Sequence, residues 1–316
     1  MWDKKSTKIK LKLVFLPFLG SSLSTILLYC LIRWILDIHL NIWPLKDTFW
    51  DGIIALILSS AIVFTYMRPK IKLLYFKLFQ EKSSNVFYFM MILSLFPTIV
   101  TSQAYLSKVS YSVIDINNIG EARQYPKQKY FRVADFNVKK QEVASIMTTE
   151  LTGKSQSELL AYLYFATPFA HADNIWLGQR FRIEIDNNLS EEDKNQQLKA
   201  FIATSNREYK NLGAPLADYF EYLKNSDVKS GYLQAIASSP QRYESEPYIL
   251  LAKEGTLAEA AAEQRLKMIR FFIIGMFICL LFILKAKIDK KAFQQILIKH
   301  NDSLLKLILI DAFAKL

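Results

Sequence analysis

Apolar residues are gathered into four blocks along the chain, each long enough for a helix that crosses a lipid bilayer. The blocks are Leu13–Leu36, Gly52–Met67, Val86–Leu106 and Ile269–Leu284. A bilayer core needs about 20 apolar helical residues, with a lower limit of about 17, so the second and fourth blocks are short. No small-residue cleavage site interrupts the first block, which predicts an uncleaved anchor. The pattern predicts a multi-pass membrane protein with four helical spans.

Basic residues predict how these spans are oriented. Because positive charge resists translocation, loops rich in Lys and Arg stay in the cytoplasm. The loop from Asp37 to Asp51 holds one Lys and three Asp. Three basic clusters flank the other span ends: Lys4, Lys5, Lys8, Lys10 and Lys12; Arg68, Lys70, Lys72, Lys77 and Lys82; and Lys285, Lys287, Lys290 and Lys291. We therefore expect both termini in the cytoplasm and residues 107–268 outside it, in a bacterial cytoplasmic (inner) membrane.

Three regions follow from this orientation. Residues 1–106 form an N-terminal membrane region with three transmembrane helices. Residues 107–268 form an extracytoplasmic domain. Residues 269–316 form the fourth span and a short cytoplasmic tail, which is basic and contains the apolar run Leu304–Ala314, interpreted as an amphipathic helix or the start of a further span.

The extracytoplasmic segment has the mixed periodicity of an α+β domain. Runs that alternate or are rich in β-branched residues predict strands. The apolar stripe that follows Ser190 predicts a helix, in which Ser190 and Asp193, three residues later, resemble a capping box. We expect an antiparallel sheet with helices on one face, and a last helix from Thr256 that continues into the fourth span. The predicted strands are Lys129–Val138, Leu160–Phe169, Ile175–Ile185, Tyr219–Leu223 and Tyr248–Ala252, with a further helix at Val228–Ala237.

Composition and charge exclude several classes of protein. The chain has 316 residues, 52% of them hydrophobic, which rules out a disordered protein or a small disulfide scaffold. Its net charge is +11, yet residues 107–268 hold 20 Lys+Arg and 21 Asp+Glu. The basic surplus therefore belongs to the membrane-flanking segments, where the lipid bilayer is the expected partner. Nothing in this distribution supports nucleic-acid binding.

No complete catalytic, cofactor or metal motif is present. Cys30 and Cys279 lie within apolar blocks, and the three histidines (His39, His171 and His300) have no partner at metal-ligand spacing. The Gly153-Lys154-Ser155 triplet lacks the glycine of a phosphate-binding loop, because Thr148 occupies that position. This triplet is predicted to be a turn between two strands.

Two groups of residues are candidate sites. Arg33 and Asp37 are four residues apart at the outer end of the first span, where they can pair on one helix face. They form either a buried ion or substrate site or, as we prefer, a membrane-interface pair whose Arg33 side chain reaches the interface beside Trp34. The second group consists of aromatic residues of the extracytoplasmic domain that could anchor a peptide, or instead form its core and a seat against the membrane: Tyr130, Tyr164, Phe165 and Trp176.

Four runs of sequence carry a family resemblance. Arg68–Leu74, Lys129–Lys140, Ile175–Lys194 and Tyr219–Ile236 together resemble the long N-terminal extension of certain bacterial rhomboid-family membrane proteins, a resemblance that covers about residues 8–290. Rhomboid proteases cleave within the membrane with a serine in a Gly-x-Ser-Gly motif and a histidine on a later span. Neither feature occurs here, and the six-span catalytic unit would follow the extension.

The resemblance implies a non-catalytic module whose outer domain recruits or screens protein substrates or partners, and whose spans pack against a membrane-protein partner. The chain would be either a shortened relative or the front part of a longer protein. An alternative from another class is a stand-alone envelope sensor that binds a ligand and signals through the helix into the fourth span. A transporter subunit is the third and least favoured alternative, because the spans carry few charged residues.

Overall fold

The computed structural model describes residues 4–43, 45–76, 83–211, 217–224, 226–239, 245–289 and 293. The chain divides into two compact units. The helical unit comprises Met1–Trp43, Thr48–Ser107 and Ala261–Leu316, and the sheet unit comprises Pro44–Asp47 and Lys108–Ala260. Apart from Phe293, the predicted tail beyond Lys291, with His300 and Leu304–Ala314, lies outside the described residues. So do Lys77, Lys82, Lys290 and Lys291.

Four helices are long and apolar enough to cross a membrane, as the hydrophobic blocks predict. They are α1 (Ser6–His39), α2 (Phe49–Ile71), α3 (Ser83–Val109) and α6 (Leu257–Lys285). Each extends beyond its apolar block, because polar residues continue the backbone hydrogen bonds at both ends. The helix predicted to run on from Thr256 through the fourth block is observed as the single helix α6.

Close contacts hold the helical unit together. A Cβ atom added to Gly275 of α6 would lie 2.6 Å from the backbone oxygen of Ser94 in α3, so only glycine permits this approach of the two helices. Lys10 donates a hydrogen bond to the Leu284 carbonyl at the end of α6 (2.9 Å). The two-residue strands β1 (Leu74–Tyr75) and β9 (Lys287–Ile288) pair antiparallel after α2 and α6.

The sheet unit is built on seven strands: β2 (Val113–Ile116), β3 (Tyr130–Val133), β4 (Ala144–Thr152), β5 (Glu158–Pro168), β6 (Ile175–Asp186), β7 (Tyr219–Tyr222) and β8 (Tyr248–Lys253). They lie in the order β2-β3-β7-β8-β6-β5-β4. Neighbours pair antiparallel except β2 with β3 and β6 with β8, which are parallel. The sheet is therefore mixed, which corrects the expected all-antiparallel sheet.

Helices cover both faces of this sheet, which corrects the expectation of helices on one face. Tyr164 packs with Tyr232 of α5 (Lys229–Ala237). The next residue of β5, Phe165, stacks on Tyr209 of α4 (Glu191–Asn211) with ring centroids 4.4 Å apart. Consecutive strand residues point to opposite faces, so α4 and α5 lie on opposite sides. β5 is accordingly buried on both faces along most of its length.

Candidate functional site

A cluster of opposite charges lies on the sheet face that carries α5. The Glu221 carboxylate of β7 is surrounded by three lysine ammonium groups: the nearest N–O distances are 3.2 Å to Lys129, 3.3 Å to Lys253 and 3.4 Å to Lys108. These residues come from four places in the chain, and the register of the sheet brings them together. Glu221 is paired with Tyr130 of β3 and with Leu251 of β8, two residues before Lys253. We call Glu221, Lys108, Lys129 and Lys253 the lysine cluster.

The electrostatics of the lysine cluster favour an ionised carboxylate. The Glu221 side chain is only 12% exposed. Burial by itself disfavours its charged form, but the lysines outweigh this effect and lower its pKa from 4.5 to about 2. Glu221 therefore stays charged under all physiological conditions, and it holds the three ammonium groups in place.

Tyrosine rings flank the lysine cluster. The ring of Tyr130 makes edge-to-face contacts with Tyr111 and Tyr219, at centroid distances of 6.2 and 5.7 Å. The Lys108 ammonium lies 5.0 Å from the Tyr130 ring centroid, and that of Lys129 lies 5.8 Å away, both within the range of cation–π attraction. Burial raises the pKa of Tyr130, so this phenol remains neutral.

The four aromatic residues considered as possible partner-binding anchors lie in the core. Tyr130, Tyr164, Phe165 and Trp176 are each at most 7% exposed. Trp176 donates its indole N–H to the side-chain oxygen of Asn174 (2.9 Å), which satisfies its one polar group internally. This placement fits the alternative in which these residues form the core of the domain. The sheet is covered by helices on both faces, and large aromatic side chains fill the space on each.

The two edges of the sheet differ in length and chemistry. β2 is four residues long, and its Asp115 pairs with Arg132 of β3 (3.3 Å). β4 is nine residues long, runs from Ala144 to Thr152, and contains one charged residue, Glu150, and no proline. Proteins protect edges with short strands, charge or proline. In the described part of the chain β4 ends the sheet and pairs with β5 alone, so its outer backbone groups face away from the sheet unprotected.

Apolar side chains accompany this free edge. Met147 is 36% exposed and Leu151 is 49% exposed. They lie four residues apart and therefore on the same face of β4. On the other face Glu150 accepts a hydrogen bond from the Tyr162 hydroxyl (3.1 Å). The edge of β4 thus combines main-chain donors and acceptors with two apolar side chains and one acidic group.

In the helical unit, Arg33 is buried by protein and does not extend along the surface of α1. Its guanidinium lies 2.5 Å from Asp51 of α2 and 3.5 Å from Asp37, and it is 3% exposed. It also lies 5.8 Å from the Trp50 ring centroid. The pairing with Asp37 fits its four-residue spacing. The link to Asp51 joins α1 to α2, and no local spacing in the sequence indicates it.

Other candidates do not assemble into sites. The Gly153-Lys154-Ser155 triplet is the turn between β4 and β5, with Gly153 at φ +77°, so the predicted turn is observed. A cleft of about 410 Å³ is lined by residues 136–142, a single short segment that brings no distant residues together. Among the described residues, no group of three or more His, Cys, Asp or Glu is placed to hold a metal ion.

Comparison of the chain with protein-family models, with curated proteins and with solved structures gives no match. The rhomboid resemblance therefore stays an expectation. Sequence reasoning missed both the lysine cluster and the β4 edge. One signal for the cluster was available: Glu221 is a charged residue in the otherwise aromatic strand Tyr-Phe-Glu-Tyr, and a charge so placed needs a buried partner.

Proposed function

We propose that the chain is a membrane-anchored, non-catalytic module that captures an extended segment of a partner protein along the edge of β4. The single observation that carries the proposal is the contrast between the two edges. β4 is nine residues long with one charge, whereas β2 is four residues long and carries an ion pair. Addition of a strand to an exposed edge is a common mode of peptide recognition, in which main-chain hydrogen bonds supply affinity.

The chemistry of β4 specifies the segment that fits. Met147 and Leu151 would contact apolar side chains at alternate positions of the added strand, because cross-strand neighbours lie on the same face. A basic residue in that strand would complement Glu150 on the opposite face. The partner is therefore an extended segment with alternating apolar residues and at least one Lys or Arg.

The proposed setting is a bacterial cytoplasmic membrane with both termini in the cytoplasm and residues 107–268 outside. The basic clusters at the span ends support this orientation, and the four candidate spans supply the anchor. The partner segment would then belong to an envelope protein or to the outer part of a membrane protein. This reading agrees with the recruiting role that the rhomboid resemblance implies.

Site-specific photocrosslinking tests the proposal in the intact protein in the membranes of its own cells. A photoreactive residue replaces Thr149 in β4 or, as the matched edge control, Asp115 in β2. We expect adducts at Thr149 that map to one extended segment of another protein, and few at Asp115. Hydrogen exchange of the β4 amides should slow when that segment is added as a synthetic peptide.

Two variants decide whether the edge itself binds. Met147→Lys combined with Leu151→Lys places charge on the apolar face of β4 and should abolish the adducts at Thr149. Tyr125→Lys, at a similarly exposed position (40%) elsewhere in the sheet unit, should leave them unchanged. Adducts at Thr149 no more frequent than at Asp115 would overturn the proposal. Adducts only at twice 36.6 kDa would do so as well, because they would identify a second copy as the occupant.

The sensor alternative is favoured by one observation, the continuity of α6 from Leu257 to Lys285. A sensor needs such a helix to transmit ligand binding to a cytoplasmic partner. Ala262→Pro breaks α6 at a cost of about 3 kcal/mol and leaves β4 intact. Loss of crosslinks from Lys287 to a cytoplasmic protein in this variant would support the sensor. A wild-type chain that forms no such crosslinks contradicts it.

The non-catalytic part of the proposal has its own test. The purified chain should not cleave a transmembrane substrate after reconstitution into vesicles. Reproducible cleavage that one serine substitution abolishes would refute it.

A further inference from the structure

The lysine cluster has more hydrogen-bond donors than its carboxylate can use. Each ammonium group carries three N–H donors, so the three lysines have about nine, whereas a carboxylate offers about four lone-pair positions. The distances of 3.2–3.5 Å place all three lysines on the two oxygens of Glu221. About five N–H donors are therefore left over for other acceptors, and Lys253, 35% exposed, is the most accessible of the three.

Charge is in surplus as well. Three lysines and one carboxylate leave a net charge of +2 on the lysine cluster. Asp47 is a further acidic group whose charge reaches this site, through its effect on Tyr130. Even if Asp47 is counted in full, one positive charge is not balanced. A single lysine would suffice to neutralise a buried carboxylate, so three indicate that Glu221 gathers ammonium groups for an anionic ligand.

The position of the cluster suggests where that ligand comes from. Lys108 is the penultimate residue of α3, at the point where this candidate span ends. Tyrosines are enriched at the headgroup level of membranes, and the partly exposed Tyr111, whose ring contacts the buried Tyr130, lies three residues after Lys108. Phosphate oxygens of lipid headgroups occupy this same level, and ammonium groups bind them through charge-assisted hydrogen bonds.

We propose that Lys108, Lys129 and Lys253, held together by Glu221, bind a phosphate group, supplied by the headgroup of an anionic lipid. The three ammonium groups donate to the phosphate oxygens while Glu221 keeps them within reach of one another. Glu221 is a positioning residue here and does not touch the ligand. The site operates independently of the β4 edge.

Native mass spectrometry of the delipidated full chain tests the site, with phosphatidylglycerol, phosphatidylcholine and inorganic phosphate as the three probes. Phosphatidylglycerol should bind more tightly than phosphatidylcholine. Lys253→Gln should weaken binding of phosphatidylglycerol about fivefold, the effect of one lysine near a membrane surface. Lys253→Arg should keep the binding. Lys199→Gln, at an exposed position on α4, is the matched control and should have no effect.

The outcomes separate the two sources of phosphate. If inorganic phosphate binds and displaces phosphatidylglycerol at equal concentration, the site takes a free phosphate ion and the lipid assignment is overturned. Equal binding of the two lipids, or equal effects of Lys253→Gln and Lys199→Gln, overturns the site altogether. Lys129→Gln is a second variant of the cluster. If Lys253→Gln alters the amide-exchange pattern of the sheet unit, the effect of Lys129→Gln on phosphatidylglycerol binding is compared with that of Lys199→Gln instead.

Discussion

Replacing Glu221 by Gln should destabilise the sheet unit by about 3 kcal/mol at pH 7. The pKa of Glu221 is about 2 in the folded protein and 4.5 ordinarily, and each pKa unit corresponds to about 1.4 kcal/mol. The ionised carboxylate therefore stabilises the folded state by about 3 kcal/mol, a value in line with the roughly 3–5 kcal/mol lost when one partner of a buried ion pair is removed. The substitution also leaves three ammonium groups facing one another without the carboxylate that they share.

The pH dependence gives this prediction a second, independent signature. Because the folded-state pKa of Glu221 lies below the unfolded one, the stabilisation is complete above about pH 4.5 and is lost as the pH falls towards 2. A glutamine side chain at this position does not titrate, so the difference between wild type and the Glu221→Gln variant should shrink over this interval. Above about pH 5 the difference should be constant.

Amide hydrogen exchange of β3, β7 and β8 in detergent micelles measures the free energy of opening of this part of the sheet. Glu184→Gln is the matched control, since Glu184 is 52% exposed and pairs with Arg182 on the surface, where an ion pair contributes at most about 1 kcal/mol. A loss below about 1 kcal/mol for Glu221→Gln at pH 7 would refute the reasoning. A difference that persists undiminished at about pH 2.5 would show that the carboxylate's charge is not its cause.

Three further predictions concern the helical unit and its orientation. Gly275→Leu should lower the melting temperature in detergent, because the leucine side chain would meet the Ser94 backbone of α3. Gly20→Leu is the control and should leave the melting temperature unchanged, since no atom lies within 4 Å of an added Cβ there. Equal effects of the two variants would contradict the close approach of α3 and α6. Arg33→Ala should lower the free energy of unfolding by about 3 kcal/mol, because it removes the counter-charge that Asp37 and Asp51 share. Arg33→Lys should restore only part of this stability, since a point charge cannot serve two carboxylates as a planar guanidinium does. Arg182→Ala, at an exposed position, is the control in the same thermal assay. Lys154→Cys should react with a membrane-impermeant maleimide in intact cells and Lys72→Cys only after lysis; the reverse pattern would invert the proposed topology.

The sequence predicts those elements of the fold whose residues form strong apolar patterns. All four candidate spans, and the strands β5, β6 and β8, coincide with runs of hydrophobic residues. The same runs held a signal that was misread: β5 is apolar at nearly every position, which indicates burial on both faces. Recognising this would have placed helices on both sides of the sheet and the aromatic residues Tyr164 and Phe165 in two separate layers of the core.

Long-range relations could not be predicted in the same way. The parallel pairing of β6 with β8 joins Ile175 to Tyr248, which are far apart in the sequence, and no local pattern specifies it. The contact of Arg33 with Asp51 and the convergence of three lysines on Glu221 depend in the same way on tertiary structure. Local spacing predicted only the Arg33–Asp37 pair, which lies within one turn of one helix.

The strand β4 was missed for a physical reason that bears on its proposed role. Its sequence, Ala-Ser-Ile-Met-Thr-Thr-Glu-Leu-Thr, lacks a clean alternation because an edge strand is covered from one side only, and its outermost side chains stay in contact with water. Strand recognition from hydrophobic periodicity favours strands that are already fully packed. A strand that keeps one side available for a partner therefore mixes exposed apolar and polar residues and is hard to recognise. The exposure that makes β4 hard to recognise in the sequence also makes its edge available for binding. The difference between many crosslinks expected at Thr149 and few at Asp115 measures that availability directly.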